Sequence, residues 1–417
     1  MSLFNLHQRT YKKSISNPGY ICSCSFSFLF FLLTPLLSHL PSLLTAYLFY
    51  TMTLATEQVA PTIVDTPVAV DAAAVEALSI DAAPTYTAFA AGPGGQSFVE
   101  KKLELPKLGQ FDVAVAIICC GVCYTDTMYA AMAEGMVVGH EIIGRVEFKG
   151  ESVTNVDIGD TIGFGYIRST CLECQFCLSG QENMCPKRTT FSDGVGGLAN
   201  ASVWDSRFVY KIPKEIEPRH AGPLTCAGAS VFGALYGYNV SPTATVGVVG
   251  LGGLGHLAIK FARAWGCKVV AISSTQEKEQ DALAFGAHEF ICTQNPITTT
   301  TKMDYILNTH VGDLPWDIFL NLLVTNGTLI NLGIAAKPSI EIPYMPALFN
   351  QLKVVGSLVA SRHVVNKMFE FAARHNIRPE VEEYAMTVKG CREGFKRVTE
   401  QKARYRVVLN VPNSIAM

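Results

Sequence analysis

The chain has 417 residues, enough for two or three domains around a sizeable core. Its net charge of −2 leaves no nucleic-acid footprint at the level of the whole chain. Only 16% of residues are charged and mean hydropathy is +0.25, and the N-terminus carries part of that apolar excess.

After Arg9, Lys12 and Lys13 there is no Asp, Glu, Lys or Arg from Ser14 to Thr56, and Phe26 to Leu33 is almost wholly apolar. A basic start followed by an apolar run reads as a signal sequence or membrane anchor, although Pro35, His39 and Pro41 interrupt a spanning helix. Two other readings stay open: an organelle-targeting leader, since the stretch is Ser-rich and acid-free, and upstream translation ahead of a start at Met52. Residues 53–84 are rich in Ala, Val and Thr without sustained periodicity, so 1–84 is expected to be leader and linker.

From Thr85 short β-type runs follow one another. They include Val113–Ile118, Ile142–Phe148, Thr161–Tyr166 and Arg207–Ile212, punctuated by Gly and Pro. At Thr245 the pattern changes to alternating strands and helices. Strands are expected at 246–249, Lys268–Ser273, Asp304–Leu307, Gly327–Leu332 and Lys353–Val359, which argues for an open parallel sheet. A last strand, Tyr405–Val411, is expected to return to the first domain.

Within the β region, Cys171, Cys174, Cys177 and Cys185 follow the pattern C-x-x-C-x-x-C-x7-C. Four thiolates so close in sequence can surround one tetrahedral Zn²⁺. Cysteines three apart are poorly placed to pair with each other, so zinc is favoured over disulfides. Thiolate ligands also suit a reducing compartment, which favours the cytoplasm over export.

Gly250-Leu251-Gly252-Gly253-Leu254-Gly255 fits G-x-G-x-x-G. The hexamer alone is weak, but here it follows a buried strand and opens a helix over His256–Trp265. Gly250 permits the turn, Gly252 admits a pyrophosphate, and Gly255 lets helix pack on strand. The second strand ends in Ser273-Ser274 where a site for NAD usually carries Asp or Glu. Ser273, Ser274 and Lys278 therefore suggest NADP(H). Against this, Lys278 between Glu277 and Glu279 can equally be an ordinary solvated residue.

Three further segments, Gly121-Val-Cys123-Tyr-Thr125-Asp126, Gly139-His140-Glu141 and Pro223-Leu-Thr-Cys226-Ala-Gly228, are unremarkable singly. Together with the cysteine lobe, Gly250–His256 and Lys402–Val408, in this order, they resemble the zinc-dependent medium-chain alcohol dehydrogenases, and within them the cinnamyl alcohol dehydrogenase branch. The resemblance runs from about Thr85 to Val411. It implies an α/β chain: a GroES-like β-barrel catalytic domain with the zinc lobe over 85–228, a Rossmann doubly wound parallel sheet over 229–365, and 366–417 completing the catalytic domain. It implies that Cys123, His140 and Cys226 hold a catalytic Zn²⁺, with Glu141 occupying or approaching the fourth position. Asp126 would fix the His140 ring, Thr125 would pass a proton, and the backbone around Gly333, after the sheet's fourth strand, would cover the nicotinamide. The implied reaction is reversible reduction of an aromatic or medium-length aldehyde, with zinc polarising the carbonyl and NADPH giving hydride. A homodimer joined through the Rossmann sheets is implied as well.

Two departures stand out. Tyr124 replaces the His common in this branch, and only 16 residues separate Cys123 from His140, fewer than the family segment. Cys119 and Cys120 are assigned to a strand. Cys267, Cys292 and Cys391 are expected to be packing residues, and His220, His256, His288 and His375 structural ones. Rival readings are an NAD-linked alcohol or polyol dehydrogenase, and a non-catalytic zinc and dinucleotide binding protein, membrane-tethered through its N-terminal segment.

Overall fold

The computed structural model describes residues 84–412 apart from 313 and 335–338; the leader readings lie outside the described residues. The described residues begin with an antiparallel hairpin of β1 (Thr85–Ala91) and β2 (Phe98–Glu104), which the sequence reading only partly anticipated. The long β3 (Asp112–Val122) runs into α1 (Tyr124–Met132), and β4 (Glu141–Lys149) and β5 (Thr161–Phe164) follow. The cysteine lobe contains β6 (Ile167–Ser169), α2 (Gln175–Leu178) and β7 (Thr189–Thr190), and is succeeded by β8 (Ala201–Asp205) and β9 (Tyr210–Lys211). A near-continuous helical run then passes through α3 (Pro218–Pro223), a π-helical stretch (Leu224–Gly228) and α4 (Ala229–Gly237).

The second half starts with β10 (Thr245–Val249), α5 (Gly255–Trp265), β11 (Lys268–Ser273), α6 (Glu279–Ala284) and β12 (Glu289–Cys292). It continues through β13 (Met303–Asn308), α7 (Trp316–Leu322), β14 (Leu323–Asn331), α8 (Tyr344–Phe349), β15 (Lys353–Gly356) and α9 (Arg362–Arg374). The chain closes with β16 (Val381–Ala385), α10 (Val388–Thr399) and β17 (Arg406–Asn410).

Two large sheets result. β10–β15 form a six-stranded parallel sheet in the order β12-β11-β10-β13-β14-β15, the doubly wound arrangement. Its strands are apolar on both sides because helices cover both faces: Val246, Val269, Val270, Ile306, Leu307, Leu329 and Ile330 are all fully buried. The other sheet runs β16-β17-β3-β4-β5-β9, with β8 also on β3. β3 can serve three partners because it is long. β4 lies along one edge, while β8 takes Asp112–Ala116 and β17 takes Cys119–Val122 on the other. This division closes the strands into the GroES-like barrel.

Three expectations change. β12, behind the left-handed Gly286 (φ +110°), was not anticipated, so the strand that precedes Gly333 is the fifth of its sheet and not the fourth. β16 was also missed, since Val-Glu-Glu-Tyr-Ala is acidic and half exposed on a sheet edge. The expected boundaries at 228/229 and 365/366 fall inside helical runs, because α4 and α9 pack on one another between the two sheets. All cysteines among the described residues are free thiols, and Cys119 and Cys120 are buried in β3. Among the described residues no helix is long and apolar enough to cross a membrane.

Candidate functional site

Cys123 ends β3 and caps the N-terminus of α1, and the cap organises everything beside it. Its backbone N–H donates to Asp126 Oδ2 at 2.9 Å, one turn into the helix. The other carboxylate oxygen of Asp126 accepts the Gly139 N–H at 3.1 Å and lies 2.7 Å from His140 Nδ1. Asp126 is wholly buried, so this triple engagement fixes the imidazole with Nδ1 toward the carboxylate and Nε2 toward sulfur. Gly139 has φ +109°, and a Cβ there would stand 2.9 Å from Cys120 Sγ, so the Gly-His pair is needed to bring the ring in.

Cys226 arrives from the π-helical stretch, with its Sγ 3.2 Å from His140 Nε2. Ligand atoms of Cys123, His140, Glu141 and Cys226 all fall within 4.8 Å of one another. Hydrogen bonding to Cys226 holds the Cys123 thiol well below its ordinary range, and the same contact pushes Cys226 well above it. Burial works against a charged His140, yet Asp126 and Cys123 outweigh it and raise the imidazole well above its usual value. A proton shared among two sulfurs and an imidazole is what a soft divalent cation displaces, so the donor set fits zinc.

Glu141 completes the group differently from a free ligand. One carboxylate oxygen is ion-paired with Arg406, and the other, Oε2, is buried with no hydrogen-bond partner. Burial, opposed by the Arg406 guanidinium, pushes the carboxyl up to about 7. Arg406 is itself 4% exposed, and a Cβ on Gly253 would lie 2.8 Å from its guanidinium. One side chain thus touches both the metal-ligand cluster and the glycine turn. The sequence reading quoted Arg406 only as part of a strand motif. The available signal was a charged residue inside the apolar run Tyr405–Leu409.

The cysteine lobe is a separate group. Sγ atoms of Cys171, Cys174, Cys177 and Cys185 lie 3.6 to 3.9 Å apart along three edges. A tetrahedron with Zn–S bonds of about 2.3 Å has edges of about 3.8 Å, so the cage already fits the ion. The Glu173 and Cys174 amides hold the Cys171 thiol down to about 6. The lobe is tied to the second half through buried Glu182, which accepts the Arg362 N–H at 2.6 Å and its Nε–H at 2.9 Å, and through Asn183 on the Leu358 carbonyl.

Between the halves runs a cleft of about 400 Å³, with Cys123 and Tyr124 on one side and Gly250–Leu254 on the other. Gly250 has φ +88°, a Cβ on Gly255 would meet the Gly250 carbonyl at 1.8 Å, and Gly252 faces open space. This is a cradle for a pyrophosphate at the start of α5. Lys278 lines the cleft and donates to the Leu251 carbonyl at 3.0 Å. Ser273 and Ser274 are not among the lining residues: Ser273 is buried with its hydroxyl accepting the Thr275 N–H, and Ser274 is exposed. Gly333 lies behind the wall, where a Cβ would meet the His310 carbonyl at 2.7 Å. His310 and Asp281 line the cleft and escaped the sequence reading, while Lys402, Arg404 and Tyr405 line it from a motif quoted only for the resemblance.

Two aromatic rings flank His140, and a third stands behind one of them. Phe191 lies 4.9 Å from the imidazole and Tyr166 5.8 Å, while Tyr129 of α1 meets Phe191 edge-on at 5.1 Å. Burial and the neighbouring Tyr129 hydroxyl push Tyr166 up to about 12, so it stays a protonated donor. Thr125 is half-buried on the first turn of α1, beside Cys123. His256 has a structural place: it is buried, with Nδ1 on the Gly252 carbonyl and Nε2 accepting the Glu380 N–H.

Known proteins share this arrangement. Residues 109–214 match the alcohol dehydrogenase GroES-like domain, and residues 253–374 match the zinc-binding dehydrogenase model. The chain is similar to aldehyde reductase AdhA of Synechocystis sp., 36% identical over 312 residues that cover 73% of this chain and 92% of that protein. Among solved structures it resembles a cinnamyl alcohol dehydrogenase from Sorghum bicolor (TM-score 0.76, 29% identity, 80% of this chain and 99% of that one). It also resembles the Helicobacter pylori cinnamyl alcohol dehydrogenase complexed with NADP(H) (TM-score 0.73, 28% identity, 79% and 99%).

Proposed function

The chain belongs to the zinc-binding medium-chain alcohol dehydrogenase family, and from that premise we propose that it is an NADP(H)-linked reductase of aromatic or medium-length aldehydes. The observation that carries the reading is that Cys123, clustered with His140 and Cys226, lines the same cleft as the glycine cradle. Cys123, His140 and Cys226 would hold one zinc, which when bound would supply Lewis acidity toward the aldehyde oxygen, and bound NADPH would supply hydride. The four lobe cysteines would hold a second, structural zinc.

The remaining steps belong to the chain. Asp126 keeps His140 in one tautomer and orientation. Thr125, beside the cluster, hands a proton to the substrate oxygen. Glu141, with one oxygen unpaired, would be a further candidate ligand beside these three, and Arg406 balances its charge. The same guanidinium beside Gly253 is placed to meet the cofactor pyrophosphate. Tyr129, Tyr166 and Phe191 form an apolar collar that supports a planar aromatic substrate.

Lys278 in the cleft, with no acid at the end of β11, favours NADP(H) over NAD(H). Thiolate ligands support a cytoplasmic setting. The exposed Tyr344, Met345, Leu348 and Phe349 beside the edge strand β15 support a homodimer joined through the parallel sheets.

The deciding experiment follows NADPH oxidation with cinnamaldehyde and a panel of small aldehydes, with zinc content determined on the same sample. Turnover with two zincs per chain is the expected result. A single zinc without turnover would instead favour a binding protein whose shortened 123–140 segment has cost it catalysis.

A further inference from the structure

The cofactor cleft contains a carboxylate that ought to oppose NADP(H). Asp281 lines the cleft on the wall where β11 passes into α6, three residues beyond Lys278. At that spacing on a helical turn, Asp281 is the natural partner of the lysine and would cancel its charge. A free carboxylate at this end of the cleft would also accept the 2′-hydroxyl of an NAD ribose and repel a 2′-phosphate.

Asp281 is not free. Arg404 reaches its Oδ1 at 2.9 Å and its Oδ2 at 2.6 Å, and the Tyr405 hydroxyl donates to Oδ2 as well. A single Arg404 nitrogen, Nη2, bridges both carboxylate oxygens, and the Tyr405 hydroxyl adds a second donor, so Asp281 is paired although Arg404 itself is largely exposed. Lys278 meanwhile donates to the Leu251 carbonyl, which holds its ammonium against the glycine turn and leaves further N–H donors unspent. Glu277 shares the wall but lies in solvent, where its field is screened. Arg404 and Tyr405 come from the segment just before β17, far in sequence from the dinucleotide fold.

We infer that Arg404, assisted by Tyr405, sets cofactor selectivity. By occupying Asp281 it withdraws the carboxylate from the ribose 2′ position and leaves the Lys278 cation for a 2′-phosphate. Arg404 is thus a positioning residue acting through Asp281, and the inference rests on the NADP(H) reading above.

The test is equilibrium binding of NADPH and of NADH to the full chain, followed by cofactor fluorescence. Wild type, Arg404→Gln, Tyr405→Phe and the double variant Arg404→Gln/Asp281→Asn are compared. Arg404→Gln is expected to weaken NADPH by about tenfold while leaving NADH unchanged or tighter. Tyr405→Phe shifts the ratio the same way by less, and serves where Arg404→Gln fails to fold. The double variant restores the preference for NADPH, because the offending carboxylate is gone.

Equal weakening of both cofactors by Arg404→Gln would overturn the inference and leave Arg404 a brace between the two halves. A double variant that stays weak for NADPH would also overturn it, since Arg404 would then touch the phosphate itself. Wild type that prefers NADH would sink the NADP(H) reading as well, an outcome visible before any variant is made.

Discussion

The two cysteine clusters are assembled in opposite ways. The lobe gathers four ligands from 15 consecutive residues and leaves three of them partly exposed. The other cluster takes Cys123 from a strand end, His140 from the residue before β4 and Cys226 from a π-helical stretch, then buries a carboxylate and an ion pair beside them and sets two aromatic rings against the imidazole. A cage that only has to hold its ion can be written locally. A site that must hold an ion, leave one position open and control its charge needs groups from the whole barrel.

If that contrast is right, damage should separate cleanly. The largest effect is expected from Cys226→Ser. Turnover should fall by ~1,000-fold or more and one zinc per chain should be lost, while the lobe keeps its own. Metal analysis beside kcat would show this; loss of both zincs would mean the clusters are not independent. Cys174→Ser should do the reverse, lowering Tm by about 10 °C through the uncaged lobe while the catalytic zinc stays bound. Asp126→Asn leaves all three ligands but disturbs the imidazole. A drop of about 10–100-fold in catalytic-zinc affinity is expected by competition with a chelator, against no change at the lobe.

The smallest effect concerns pH. Burial lowers His256 to about 3, from 6.5 in the unfolded chain. The unfolded state therefore takes up a proton near pH 6.5 that the folded state refuses, so this residue's contribution to stability falls as pH drops from about 6.5 toward 3. Between pH 7 and pH 5 the loss is about 2 kcal/mol. Urea titrations of His256→Gln should show a flatter pH dependence than wild type over that window; an unchanged slope would remove His256 as the source.

The same contrast explains what could be read from the sequence. Local patterns carried the lobe, the glycine turn and the buried parallel strands, because each is specified by neighbours a few residues apart. Cys123, His140 and Cys226 became readable only through their ordered resemblance to a family, since a lone Cys or His carries no signal of its own. Arg406, Arg404 and Asp281 stayed hidden because their partners, Glu141 and each other, are set by how β17 docks on β3. Ser273 was overvalued for a related reason: the end of β11 was located correctly, but which side chain turns into the cleft depends on the loop beyond it.

The docking of β17 also imposes an order of assembly. β3 is made early, and although β8 covers Asp112–Ala116 on its second edge, Cys119–Val122 on that edge meets its partner only when β17 has been synthesised, after the entire parallel sheet. Loop closure of that length is entropically costly and slow, so the nascent barrel waits with one edge open. Until Arg406 arrives, Glu141 lacks its ion-pair partner. A truncated or stalled chain would therefore expose both an unpaired strand edge and an unbalanced buried acid, and quality control could recognise it as unfinished even with the dinucleotide half already folded.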